Sequence, residues 1–263
     1  MKLSLIKPIK NLKFFLNKNT GRNNKGLIVV RHHGGGHKKL YRKINLNRIS
    51  NDSIVLNIEY DPYRSSYITR VYSLLEKKYE YFLCYENIKI LNSVKSVINV
   101  NRMNCNEGDC MELKEFKIGD FLHNIEEHKN QGGIYIRSAG TYGQLISKTI
   151  LNDKNFCIIK LPSGEQRYFS LNSKATLGKV SNKIHKNRII LKAGRSRWLN
   201  RRPKVRGVAM NAVDHQHGGG RGKTSGGGPT VTLWGWPAKG VPTRNKKKNN
   251  KIYISRKNKL NIL

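Results

Sequence analysis

The sequence predicts an all-β protein built from two small barrels or sandwiches. Short apolar runs follow a period of two, and Gly, Asn, Asp and Pro interrupt them about every ten residues, the rhythm of small β units. No run carries the 3.6-residue repeat of a long amphipathic helix, and 263 residues suffice for one or two domains. Ile54, Leu56, Ile58 and Tyr60 alternate with Val55, Asn57 and Glu59, which predicts a half-buried strand ending at the Asp61-Pro62 turn. Further strands are expected at 67–72, 79–85, 88–91, 97–100, 134–137, 144–147, 156–161 and 167–171, with a hairpin turn at Pro162-Ser163-Gly164. Residues 103–119, rich in Asn, Gly and acids, are the expected join between the two units.

Charge is distributed unevenly around this β-rich middle. The chain has 51 Lys and Arg against 16 Asp and Glu, a formal +35, which makes a polyanion the first candidate partner. Residues 1–50 hold 13 basic and no acidic side chains, residues 51–160 hold 14 of each, and residues 161–263 hold 24 against 2. A neutral middle with cationic ends suits a folded body anchored by extensions threaded into RNA.

Several function classes drop out. No stretch approaches the roughly 20 apolar residues of a membrane-spanning helix, so the chain reads as soluble with no membrane segment. The N-terminal residues carry neither a secretory apolar core nor an Arg/Ser-rich transit pattern, so an organellar protein of this kind would be made in the organelle. The abundance of Asn, Lys, Ile and Tyr fits translation from an A/T-rich genome, as organellar DNA commonly is. Cys84, Cys105, Cys110 and Cys157 form no C-x-x-C pair and read as reduced thiols. Gly222-Lys223-Thr224 resembles the end of a phosphate-binding loop, but that motif needs Gly at position 217, which is His. The His-Gly-Gly-Gly runs at 33–36 and 217–220 lack the Gly-x-Ser-x-Gly nucleophile of an esterase.

The basic ends combine the chemistries that RNA requires. In residues 21–42, Arg22, Arg31, Lys38 and Arg42 suit phosphates, Asn23 and Asn24 suit base edges or sugar hydroxyls, and glycines let the backbone approach closely. His32, His33 and His37 read as hydrogen-bond donors and stacking groups. A second arm sets Lys192, Arg195, Arg197, Arg201, Arg202, Lys204 and Arg206 around Trp198, which either stacks on an unpaired base or caps a small core. Trp234 and Trp236 carry the same two readings, and Lys246 opens a terminal phosphate-binding run. Residues 207–228 hold many glycines and few apolar groups, so ordering is expected to come from a partner. There, Asp214, His215 and His217 admit one catalytic alternative, a metal-dependent nucleic-acid hydrolase. Phosphate and base contacts are the favoured reading, because Asp214 is the only acid after Glu165 and metal sites need more ligands on rigid elements.

Residues 21–42, the segment Glu59-Tyr60-Asp61-Pro62-Tyr63-Arg64-Ser65, Arg137-Ser138-Ala139-Gly140-Thr141-Tyr142, Ala175-Thr176-Leu177-Gly178, Arg202-Pro203-Lys204-Val205-Arg206-Gly207 and the glycine/histidine stretch together resemble the ribosomal protein L-two family. They stand in the family's order from about residue 20 onward. The resemblance implies a basic extension over 1–25, an OB-like barrel over 26–102, an SH3-like barrel over 103–181 and a basic, Gly-rich extension over 182–263 inserted in rRNA. It implies a structural, non-catalytic role: binding large-subunit rRNA, supporting the peptidyl transferase centre and joining the subunits. Implied partners are large-subunit rRNA, small-subunit rRNA at an intersubunit bridge and neighbouring ribosomal proteins. No cofactor is implied beyond structural Mg2+ associated with the rRNA. It also adds Arg64, Arg137, Asn211, Arg221, Lys223, Lys239 and Arg244 to the expected RNA contacts. The chain departs from the family's Asn-Pro-Val-Asp-His-Pro-His-Gly-Gly-Gly-Glu-Gly at Ala212, Gln216 and Arg221, losing two prolines and an acid, and its N-terminal extension diverges before residue 20. Composition and the Thr224-Ser225-Gly226-Gly227 tail point to a mitochondrion, with a plastid as the alternative.

Overall fold

A computed structural model of the chain describes residues 7–48, 52–96, 105–151, 154–222, 228–241, 243 and 253–254. Two compact units are present: one comprises 1–16, 39–189 and 251–263, the other 17–38 and 190–250. The first is all-β and holds two apolar cores.

The first core belongs to a four-stranded antiparallel sheet. Its strands are β3 (Ser53–Glu59), β4 (Ile68–Ser73), β5 (Lys78–Leu83) and β6 (Ser93–Val94), in the order β5-β4-β3-β6. Two shorter strands, β1 (Lys13–Phe15) and β2 (Leu40–Arg42), pair with each other. Val55, Ile58, Val71, Phe82, Cys84, Tyr85, Ile88 and Val94 fill the core, each fully buried aliphatic side chain contributing roughly 1.5–3 kcal/mol. The face of β3 differs from its expected phase. Val55 pairs with Val71 but Asn57 pairs with Arg70, so Leu56 is an extra residue in a β-bulge. The bulge puts Val55 and Ile58 on the same buried face, leaves Ile54 and Leu56 half-buried, and exposes Tyr60. The expected strand at 88–91 is a turn instead, with Leu91 at φ 69° and its N–H bonded to Val55 O. The expected strand at 97–100 lies outside the described residues.

The second core lies in a seven-stranded sheet ordered β15-β13-β12-β11-β8-β14-β7. These are β7 (Cys110–Glu112), β8 (Phe121–His123), β11 (Gly143–Leu151), β12 (Lys154–Lys160), β13 (Gln166–Ser170), β14 (Lys174–Leu177) and β15 (Tyr253–Ile254); β9 (Ile125–Glu126) and β10 (Gly133–Tyr135) pair separately. The hairpin expected at Pro162 to Gly164 joins β12 to β13, with Leu161 N–H bonded to Glu165 O and Gly164 at φ 83°. Met111, Leu113 and Phe116 are core residues, so the latter part of the expected join is interior structure, and two of the acids that gave it a linker-like composition, Asp109 and Glu112, are themselves buried. Arg48 laces the unit together. Its buried guanidinium donates to Gly108 O (2.6 Å), Lys95 O (3.2 Å) and Ser96 Oγ (3.2 Å), and it lies 4.5 Å from the Phe82 ring centroid.

Candidate nucleic-acid interface

The two basic arms, far apart in sequence, pair with each other in the second unit. A backbone bridge joins His33 to Arg201, Arg202 N–H donates to His32 O (3.0 Å), and His37 N–H donates to Trp198 O (3.0 Å). The His32 imidazole donates from Nδ1 to Pro203 O at 2.8 Å. Glycine makes this approach fit: a Cβ on Gly36 would stand 2.9 Å from Asn200 Cα; within the first arm, one on Gly21 would stand 2.0 Å from Val30 O. The 21–31 segment folds on itself, with Asn23 Oδ1 accepting from Lys25 N–H (3.0 Å) and Leu27 N–H (2.9 Å), and Arg22 Nη1 donating to Gly26 O (2.7 Å). Thus the Asn23 oxygen serves a turn, while exposed Asn24 remains free of that duty. Arg22, Arg31, His32, His33 and Arg202 surround Ile28 and Val30 in a cleft of about 420 Å³.

The second arm opens with the short helix α1 (Ala193–Trp198), which carries Arg195 and Arg197 and ends on Trp198. Lys192 Nζ lies 4.7 Å from the Trp198 ring centroid. Trp198, Trp234 and Trp236 are 52%, 66% and 71% exposed, which overturns the core-capping reading of these indoles. Arg201, Arg202, Lys204 and Arg206 follow in an exposed, extended segment able to present guanidinium forks. Lys38, Asn211, Asp214, Arg221 and Lys239 are exposed; Lys223, Arg244 and Lys246 lie outside the described residues.

Residues 207–219 make hydrogen-bonded turns: Asn211 O accepts from Asp214 N–H (3.0 Å), His215 O from Gly218 N–H (2.8 Å), and Met210 O from Gly219 N–H (3.2 Å). His215 Nδ1 accepts from His217 N–H at 3.0 Å, and the two rings lie 4.9 Å apart. His217 Nε2 lies 3.3 Å from Pro229 O and 3.4 Å from Val231 N. These imidazole nitrogens hold the loop together, and among the described residues no three His, Cys, Asp or Glu side chains cluster as metal ligands. The geometry gives the hydrolase alternative no support.

In the first unit, Arg137 is exposed, but Arg42 and Arg64 turn inward. The buried Asp61 carboxylate takes Arg64 Nε at 2.6 Å and Arg42 Nη1 at 3.9 Å, so both guanidiniums have an internal counter-ion. Glu59, also buried, pairs with Arg70 at 2.5 Å and accepts from Tyr81 OH at 3.0 Å.

Comparison with known proteins decides the family. A family model described as the RNA-binding N-terminal domain of Ribosomal Proteins L2 matches residues 9–96, and one described as the C-terminal domain matches 106–235. The chain is 48% identical over 254 residues to "Large ribosomal subunit protein uL2m" of Reclinomonas americana, covering 96% of this chain and 89% of that protein. The chain belongs to the ribosomal protein L2 family. Two further L2 relatives are "Large ribosomal subunit protein uL2" of Rickettsia massiliae, 45% identical with 95% and 90% coverage, and of Wolbachia sp. subsp. Brugia malayi, 46% identical with 96% and 90% coverage. The first β unit of this L2 chain is OB-like and the second SH3-like.

Proposed function

We propose that this chain is a structural constituent of the large subunit of a mitochondrial, bacterial-type ribosome. It binds large-subunit rRNA, supports assembly of the peptidyl transferase centre, and helps the subunits associate through small-subunit rRNA at an intersubunit bridge. It catalyses nothing. The pairing of both arms into one cation-rich unit carries this reading: Arg22, Arg31, Arg201, Arg202, Lys204 and Arg206 are exposed on a hydrogen-bonded frame with few acids. The 48% identity to a protein named for the large ribosomal subunit supports the same particle, and the mitochondrial relative supports the organelle. Neighbouring ribosomal proteins and rRNA-associated Mg2+ complete the expected surroundings. Sedimentation of a tagged copy tests the proposal. Co-migration with large subunits is expected, and a free monomer in cells would refute it.

A further inference from the structure

The SH3-like barrel carries a groove outside both basic arms. Tyr142, Gln144, Lys160 and Lys186 line it, together with the Pro162 hairpin, and it encloses about 320 Å³, near the lower end for a small-molecule site. Its walls are built. Gln144 on β11 pairs directly with Lys160 on β12, so both side chains emerge on one face of the sheet. The opposite wall is the 3-10 helix Lys183–Asn187, held close because Gly140, at φ 66°, has no Cβ; one would stand 2.9 Å from Lys183 Cα. Thr141 Oγ1 donates to Ser138 O (2.7 Å) and Val180 N–H to Thr141 O (3.1 Å), fixing the backbone that presents Tyr142.

Tyr142 is held as well as exposed. Its ring packs edge-on to Phe121 at 4.9 Å, and Lys179 Nζ sits 4.7 Å from its centroid and 4.4 Å from that of Phe121. Neither Phe121 nor Lys179 lines the groove, so Tyr142 offers it another side. An aromatic wall, an amide and two lysines form the constellation that receives an unpaired nucleotide: a π-face for stacking, a donor and acceptor for a base edge, and cations for flanking phosphates.

We propose that this groove takes one unpaired base of single-stranded RNA, stacked on Tyr142 and read at its edge by Gln144, with Lys160 and Lys186 on the phosphates. The assignment rests on the rRNA-binding reading, but places a site in the domain whose family description does not mention RNA.

The test measures binding of the full chain to a fluorescein-labelled oligouridylate about eight nucleotides long, and to an RNA duplex, across a salt series. Tyr142→Ala is expected to displace the single-strand line of log K against log salt downward by about one decade without changing its slope, because a stack is lost and no phosphate contact is. Tyr142→Phe should keep parental binding. Lys160→Ala with Lys186→Ala should reduce the slope by about 0.7 per lysine. Duplex binding should be unchanged by Tyr142→Ala. Coincident single-strand lines for parent and Tyr142→Ala overturn the proposal and leave the groove to a protein neighbour. A parent that binds neither RNA overturns the ribosomal reading itself. Thermal unfolding confirms that Tyr142→Ala folds; the double lysine variant, at exposed positions, keeps the test decisive if it does not.

Discussion

His123 makes the fold of the SH3-like barrel sensitive to acid. The ring is fully buried on β8, donates from Nδ1 to Gly178 O at 2.9 Å, and has no hydrogen-bond partner for Nε2 among the described residues. Burial pulls its pKa down to about 4, helped by the nearby Arg48 charge and opposed by the Gly178 bond. The ordinary value is 6.5, so the folded state binds fewer protons than the unfolded state between pH 6.5 and 4. Stability is therefore present above that window and lost as pH falls through it. Each pKa unit corresponds to about 1.4 kcal/mol, which makes the full loss about 3 kcal/mol, a large share of the roughly 5–15 kcal/mol that holds a typical domain. In His123→Asn the carboxamide nitrogen can take over the bond to Gly178 O but does not titrate. That variant should be less stable than the parent at pH 7 by about 1–2 kcal/mol, from lost ring volume. Urea unfolding of both proteins from pH 7 to 4 reads the difference, which should move by about 3 kcal/mol in the variant's favour and so change sign. Other acid-titrating groups act on both proteins and cancel. A difference that stays constant across the range refutes the reasoning.

Replacing Arg201, Arg202 and Arg206 together with Ala should weaken rRNA binding and reduce its salt slope by about 2 to 3, with far-UV dichroism unchanged; unchanged binding with a lost β signal would contradict it. Gly21→Ala forces a Cβ to within 2.0 Å of Val30 O at φ 77°, so it should disrupt the 21–31 turn and speed arm cleavage in limited proteolysis, with the thermal transition of the barrels kept. Arg48→Met removes the donor to the buried Gly108 O and Ser96 Oγ, while Lys95 O keeps the Cys110 N–H, and should cost about 3 kcal/mol in urea unfolding. Arg48→Lys should recover little, since one ammonium cannot reproduce the guanidinium fork.

Much of the molecule was legible along the chain. Period-two runs located most of the longer strands, and the segregation of charge identified the arms, because both properties are local and additive. Short strands such as β7 and β8 escaped notice: three residues carry too little periodicity, and only their partners across the sheet make them strands. The phase of β3 was misread because the bulge at Leu56 is set by pairing with β4. The pairing of Arg42 and Arg64 with buried Asp61 leaves no mark in the sequence, and the cage of Tyr142, Phe121 and Lys179 gathers residues from three separate segments. The family, the all-β class and the polyanion partner thus follow from the sequence alone, through composition and ordered motifs. Tertiary structure alone decided that residues 17–38 and 190–250 form one unit. Backbone bonds between positions more than 160 residues apart, such as Arg202 to His32, leave no local pattern; they depend on glycines that let the two arms meet.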